Sequence, residues 1–232
     1  MWCQLTLMLA RRKLPVAAAA QTYQCSMPPA VSVPGVARDG PTRTMPVTGY
    51  VLSLSWSPTW CALEGDARNS PQCDASADYG WVLHGLWPQY HRGWPAHCPT
   101  AERPPTRTMT EEMTDIMGSS GLAWYQWKKH GSCSGLSAPA YYALARDAYE
   151  SLTRPDGFRK LKDPVKLPAS VVEQAFLKAN PGLEPDMLTI TCRSGRIQEA
   201  RLCLSRSLDP VPCGRDVVMD CQMENALFVP IK

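Results

Sequence analysis

Ten cysteines, none of them in a C-x-x-C pair, constrain this chain more than any other feature of its 232 residues. Zinc ribbons need that close pairing. Cysteines that are dispersed and even in number point instead to disulfides, and so to an oxidising compartment, secreted or periplasmic. The histidines do not favour a metal enzyme either. There are four, His84, His91, His97 and His130, with no HExxH and no close pair, so neither a metal nor another cofactor is expected. A hydrophobic fraction of 44% against 19% charged residues supports a packed core. The net charge of +3 does not by itself imply nucleic acid, because a small acidic ligand on a local basic patch would fit it equally well.

Residues 1–23 combine an apolar run, a basic cluster and small residues (MWCQLTLMLA, then RRKLPVAAAAQ), which reads as a possible signal or leader segment in blurred order. No stretch reaches the ~20 apolar residues of a membrane span. Residues 24–47 repeat proline and glycine without a hydrophobic period and read as a flexible lead-in. One domain is expected over 48–232. It should open with a strand near Gly49 (YVLSLSW), followed by a second, GWVLHGLW, stopped by Pro88. Helices are expected over 108–117, with Thr108 and Glu111 as a capping box, over 137–152 with Pro139 near the start, and over 170–180 with Ser170 and Glu173 as cap and box. Residues 187–192 and 198–204 should pair as a hairpin around Arg193-Ser194-Gly195. Strands and helices interspersed without a βαβ rhythm favour an α+β fold: a central antiparallel sheet with helices on one side, stabilised by disulfides.

Two short stretches carry chemistry. In WYQWKKHGSC, residues 124–133, helical spacing places Gln126, Lys129 and His130 on one face and turns Trp127 toward the core. Gly131 suits the left-handed residue past a helix end. At that end the dipole favours a protonated His130, and the lysines oppose it. A histidine so balanced suits general acid–base work. In HGLWPQY, residues 84–90, His84 follows a strand, Gly85 allows close approach, and Trp87 and Tyr90 offer flat apolar faces. Two histidines, a lysine and aromatic faces form a coherent set for RNA: one imidazole removes a proton, the other supplies one, and the lysine neutralises a phosphoryl oxygen. The 2′-hydroxyl is a nucleophile already held beside its phosphate, so no metal is required. Lone histidines are usually structural, and His91 and His97 are read as solvent-facing loop residues. Trp56, Trp60, Trp81, Trp124 and Trp127 are read as core.

HGLWP and the KHGSC-containing stretch resemble the two active-site segments of the ribonuclease T2 family. LSLSWSPTWC upstream, and AFLKANPGLEPDMLTITC, EARLCLS and LFVP downstream, extend the resemblance from about Tyr50 to Pro230. It implies a monomeric endoribonuclease that cuts RNA, not DNA, by transphosphorylation to a 2′,3′-cyclic phosphate. Carried over by position, His130 is the base, His84 the acid, Lys129 the stabiliser of phosphorane charge and Trp87 a base-stacking residue. It also implies four disulfides: Cys61–Cys73, Cys98–Cys133, Cys192–Cys221 and Cys203–Cys213, with Cys3 and Cys25 left over.

The family's second segment usually reads His-Glu-x-x-Lys-His, and here Tyr125 and Gln126 fill the first two positions. The Tyr125 hydroxyl can hydrogen-bond a phosphate. Gln126 lacks the negative charge one turn from His130, which should lower that histidine's pKa, though its amide still reaches a phosphoryl oxygen. A slower enzyme is expected, by about 10- to 1000-fold if one electrostatic group is missing. Gln89 stands where the family often has a residue for base choice. A second reading, from the same departure, is a catalytically silent member that binds RNA or acts as a toxin or signalling protein. Activity should be best at mildly acidic pH, because one histidine must start protonated.

Overall fold

A computed structural model describes residues 45–232. The leader reading of 1–23, nearly all of the lead-in, and Cys3 and Cys25 lie outside the described residues. Strand β1 (Gly49–Trp56) pairs antiparallel with β2 (Trp81–Gln89) on one side and β5 (Arg196–Ser205) on the other. β4 (Leu188–Arg193) joins the far side of β5 as a hairpin. Its turn, Ser194 at φ 49° and Gly195 at φ 76°, has the two positive φ values that match the twist of paired strands. Short strands β3 (Val165–Leu167) and β6 (Ala226–Phe228) complete the six-stranded sheet, whose order is β2-β1-β5-β6-β3 with β4 on β5. Only β5 and β6 pair in parallel.

Alternation along the strands gives the sheet two different faces. Tyr50, Leu52 and Leu54 of β1 stand opposite Leu204, Leu202 and Ala200 of β5, and together with Trp56 they enter one apolar core. Helix α5 (Ala138–Ser151) contributes Tyr141, Tyr142, Ala145 and Ala148 to that core, and α6 (Ala169–Ala179) contributes Val172 and Phe176. The residues between them, Val51, Ser53 and Ser55, oppose Cys203, Arg201 and Glu199, and belong to the other face. The edge strand β2 is held by α5: the Tyr141 and Tyr149 hydroxyls donate to the carbonyl oxygens of Leu86 (2.8 Å) and Trp81 (3.0 Å). Carbonyls left open at a sheet edge invite pairing with another chain, and these two are occupied.

Several local expectations need correction. Pro88 does not stop β2 but lies inside it, opposite Tyr50, which an edge strand tolerates because the missing N–H faces no partner. After the single turn α1 (Ser57–Trp60), the helix expected at 108–117 begins earlier and breaks in two, α2 (Arg107–Glu111) and α3 (Thr114–Met117). Thr106 caps it by accepting from the Met109 N–H, and Glu111 pairs with Arg107 instead of closing a box. α6 starts from Pro168, whose extended conformation already sets the helix entry, and it has no side-chain cap. Trp56, Trp81 and Trp127 are buried as expected, but Trp124 is exposed and Trp60 only half-buried.

Candidate active site

His84 is placed by an irregularity. Leu54 pairs with Leu83 and Ser53 with Gly85, so His84 is the extra residue of a bulge in β2. Such an insertion shifts the alternation and re-aims a side chain. The core residues of β2 accordingly run Trp81, Leu83, then Leu86, a step of three instead of two. His84 and Trp87 thereby fall on the face opposite the core. Gly85 is needed beside them: a Cβ there would sit 2.2 Å from Gln126 Oε1 and 2.6 Å from Trp87 Nε1. It makes room for the hydrogen bond that Trp87 Nε1–H donates to Gln126 Oε1 (2.9 Å).

On the same face β5 presents a carboxylate that the sequence reading missed. Glu199, 2% exposed, lies 2.6 Å from His84 Nδ1. Its second oxygen accepts from Arg201 Nη2 (2.6 Å) and Nε (2.9 Å). Burial opposes its ionisation, but the His84 hydrogen bond and charge, with Arg201, win and hold the carboxyl below the usual range. The only local signal was a charged pair, Glu199 and Arg201, two residues apart on a strand and flanking the buried Ala200.

The second histidine comes from α4 (Ser120–Lys129), capped at its start by Ser119, whose hydroxyl accepts from Leu122 N–H. Gln126 and His130 are buried, and Lys129 is half-buried on the same side. Trp127 turns into the core. His130 closes the helix with its N–H on Gln126 O, and the chain continues as a short turn, Gly131–Cys133. Gly131 is not left-handed. It is glycine because a Cβ would stand 2.4 Å from the Trp127 ring and 2.9 Å from Tyr141. The helix end is clamped from outside. His97 N–H donates to Lys129 O (2.8 Å), and the Cys98–Cys133 disulfide follows directly. His97 is thus a half-buried neighbour of the site rather than a solvent-facing residue, whereas His91 is exposed. Three more disulfides, Cys61–Cys73, Cys192–Cys221 and Cys203–Cys213, stand elsewhere.

Trp87 joins the two histidines. Its ring lies edge-on to His84 and stacked on His130, each with centroids 5.3 Å apart, and the Arg201 guanidinium is 5.2 Å from its centroid. The environments differ sharply. His130 is buried, and desolvation, then Lys129, His84 and His97, pull its pKa down to about 3. Its Nδ1 is buried without a hydrogen-bond partner. Buried polar atoms left open in this way call for an explanation, and a substrate group is one.

Both histidines line a cavity of about 480 Å³, with Trp87, Gln89, Tyr125, Gln126, Lys129, Glu199 and Arg201. Trp94, 55% exposed, and Asp216 complete its rim. Gln89 folds its amide nitrogen back onto the carbonyls of Trp87 and Pro88. Tyr125 is open to solvent, with Lys129 Nζ 5.8 Å from its ring centroid. Tyr90 is buried away from this cavity. A second cavity of about 630 Å³, lined in part by Trp60, Arg68 and Arg193, shares His84, Tyr125 and Glu199 with the first. The imidazole of His84 therefore stands between two clefts.

The chain is similar to several known proteins. The chain is 40% identical over 121 residues to a ribonuclease of Aeromonas hydrophila, covering 52% of this chain and 49% of that protein. It is 31% identical over 129 residues to a probable ribonuclease of Haemophilus influenzae, covering 50% and 47%. The chain thus spans about half the length of the curated relatives it matches. Among solved structures, an RNase-related protein from Calystegia sepium superposes with a TM-score of 0.56 at 18% identity, over 81% of this chain and 98% of that one, which shows a shared fold. The sequence model of the Ribonuclease T2 family matches residues 47–213, a span that contains both histidine segments, and the chain belongs to that family.

Proposed function

We propose that this protein is an endoribonuclease that cleaves single-stranded RNA by transphosphorylation. The observation that carries the reading is the pair of histidines on one cavity in opposite settings: His130 buried beside a lysine, His84 held by a buried carboxylate. His130, neutral above about pH 3, takes the proton from the 2′-hydroxyl. The 2′-oxygen forms a bond to phosphorus, the phosphorus–5′-oxygen bond breaks, and His84 gives its proton to the departing 5′-oxygen. The products are a 2′,3′-cyclic phosphate and a free 5′-hydroxyl. Lys129 offsets the charge that grows on the non-bridging oxygens. With Gln126 Oε1 occupied by Trp87, its NH₂ group is left to donate to one of them.

Trp87 acts in this reading mainly as the platform that orients both imidazoles, because its ring and its N–H are already engaged. Trp94 and Tyr125 offer the open aromatic surface on which a base can stack. DNA lacks the nucleophile and is not cut. Every group comes from one chain, so a monomer suffices. Four disulfides support an extracytoplasmic setting, secreted or periplasmic. Among the described residues, no helix is long and apolar enough to cross a membrane.

The test is incubation of the oxidised protein, with metal chelated, with a short RNA and its DNA counterpart from about pH 5 to 7. Cyclic phosphate ends from RNA alone, lost in His130→Ala, are expected. Binding of RNA without cleavage would replace this reading by that of a silent family member.

A further inference from the structure

Glu199 stands outside the two-histidine scheme as the sequence presents it. Burying a carboxylate is costly unless charge-assisted hydrogen bonds compensate, and this one makes them in two directions. It is fixed on β5, opposite Ser55 of β1 and Thr191 of β4, in the interior of the sheet. We propose that Glu199 is a positioning residue for the acid histidine: it fixes His84 through Nδ1 and aims Nε2 at the leaving oxygen, while Arg201 fixes Glu199. This rests on the ribonuclease reading above and deepens it.

The surroundings of His84 show why such a carboxylate is needed. From α4 come Lys129, His130 and the Tyr125 phenol; from β5 comes Arg201 beside Glu199 itself. Glu64, Arg68 and Arg193 lie in the second cavity, where Glu64 already pairs with both arginines (2.7 and 2.6 Å). Asp216, on the first cavity's rim, accepts from Gly93 N–H. Of the charged side chains that line the first cavity with His84, only Glu199 is hydrogen-bonded to its imidazole. A carboxylate on Nδ1 also fixes the tautomer, so that Nε2 is the nitrogen that gives up its proton. The positive charge of Arg201 is partly spent on Glu199 and on the Trp87 ring, which ties the acid to the platform shared with His130.

The experiment measures kcat and KM across pH for the parent, Glu199→Gln and Glu199→Asp on two substrates. One is a dinucleoside phosphate. The other is a nucleoside 3′-nitrophenyl phosphate, whose leaving group needs no proton. Glu199→Gln should lose about 10- to 100-fold in kcat on the dinucleotide with KM little changed. On the nitrophenyl ester it should match the parent within about threefold, and Glu199→Asp should recover part of the loss. Equal losses on both substrates overturn the proposal. Should Glu199→Gln fail to fold, nitrogen-15 spectra of the parent's histidines decide: neutral His84 must carry its proton on Nδ1, and the other tautomer overturns the proposal. A parent that forms no cyclic ends overturns the ribonuclease reading and this inference with it; a parent that forms them while Glu199→Gln keeps its full rate on the dinucleotide overturns the inference alone.

Discussion

The two histidines reach one cavity by opposite routes. His84 sits on a sheet, in a bulge of β2, and is held from the neighbouring surface by the carboxylate of Glu199. His130 ends a helix, next to a lysine, with Nδ1 buried and unpartnered. Burial and the neighbouring cations hold His130 below its ordinary range, whereas His84 is gripped through Nδ1 by a carboxylate.

The sharpest way to break the comparison is to remove each histidine. His84→Ala and His130→Ala should each lower kcat/KM on RNA by about 10²- to 10⁴-fold. On a substrate with a nitrophenyl leaving group only His130→Ala should remain slow, since no acid is then needed. Equal losses on that substrate would erase the division of labour.

Next in size is the clamp on the helix side. The Cys98–Cys133 bond spans 35 residues, and replacing both cysteines by serine should cost about 3–4 kcal/mol of stability in denaturant unfolding. Because the bond lies just past the His130 helix end, kcat should fall further than for loss of Cys192–Cys221, which lies elsewhere on the fold. Gly85→Ala tests the sheet side. The new methyl would meet Gln126 Oε1, so a loss of about 1–3 kcal/mol is expected, together with a disturbed Trp87–Gln126 hydrogen bond visible in the indole N–H resonance.

The smallest expected effect sharpens the contrast most. With its pKa near 3, His130 should leave the acidic limb of kcat/KM low, so that activity persists to about pH 4. Gln126→Glu keeps an acceptor for Trp87 Nε1–H and adds a negative charge beside His130. A nearby anion favours the imidazolium, so the acidic limb should rise by about one pH unit, with a faster rate near neutrality. A limb that stays in place would mean that burial alone governs His130.

Much of the helix side was legible in the sequence. Gln126, Lys129 and His130 share a face because residues three and four apart do so on any helix, and Trp127 is carried to the opposite side. The sheet side was less legible. HGLWP marks His84 and Trp87, but a bulge shows only as a core spacing of three between Leu83 and Leu86, which a short strand can hide. Tyr90 reads as an aromatic next to the motif, and it is buried away from the cavity because the chain turns after Gln89, where its N–H bonds Gly93 O.

By itself, the sequence determined the class of fold, the family resemblance and the identity of both histidines, because those follow from local periodicity and from contiguous motifs. Only the tertiary structure decided that Glu199, 115 residues from His84, touches it, that Arg201 braces that carboxylate, and that Trp87 bears on both imidazoles. Contacts of this kind depend on strand register, and register is a property of how the sheet closes: one residue of slip in β5 would turn Glu199 into the core and leave His84 without its partner.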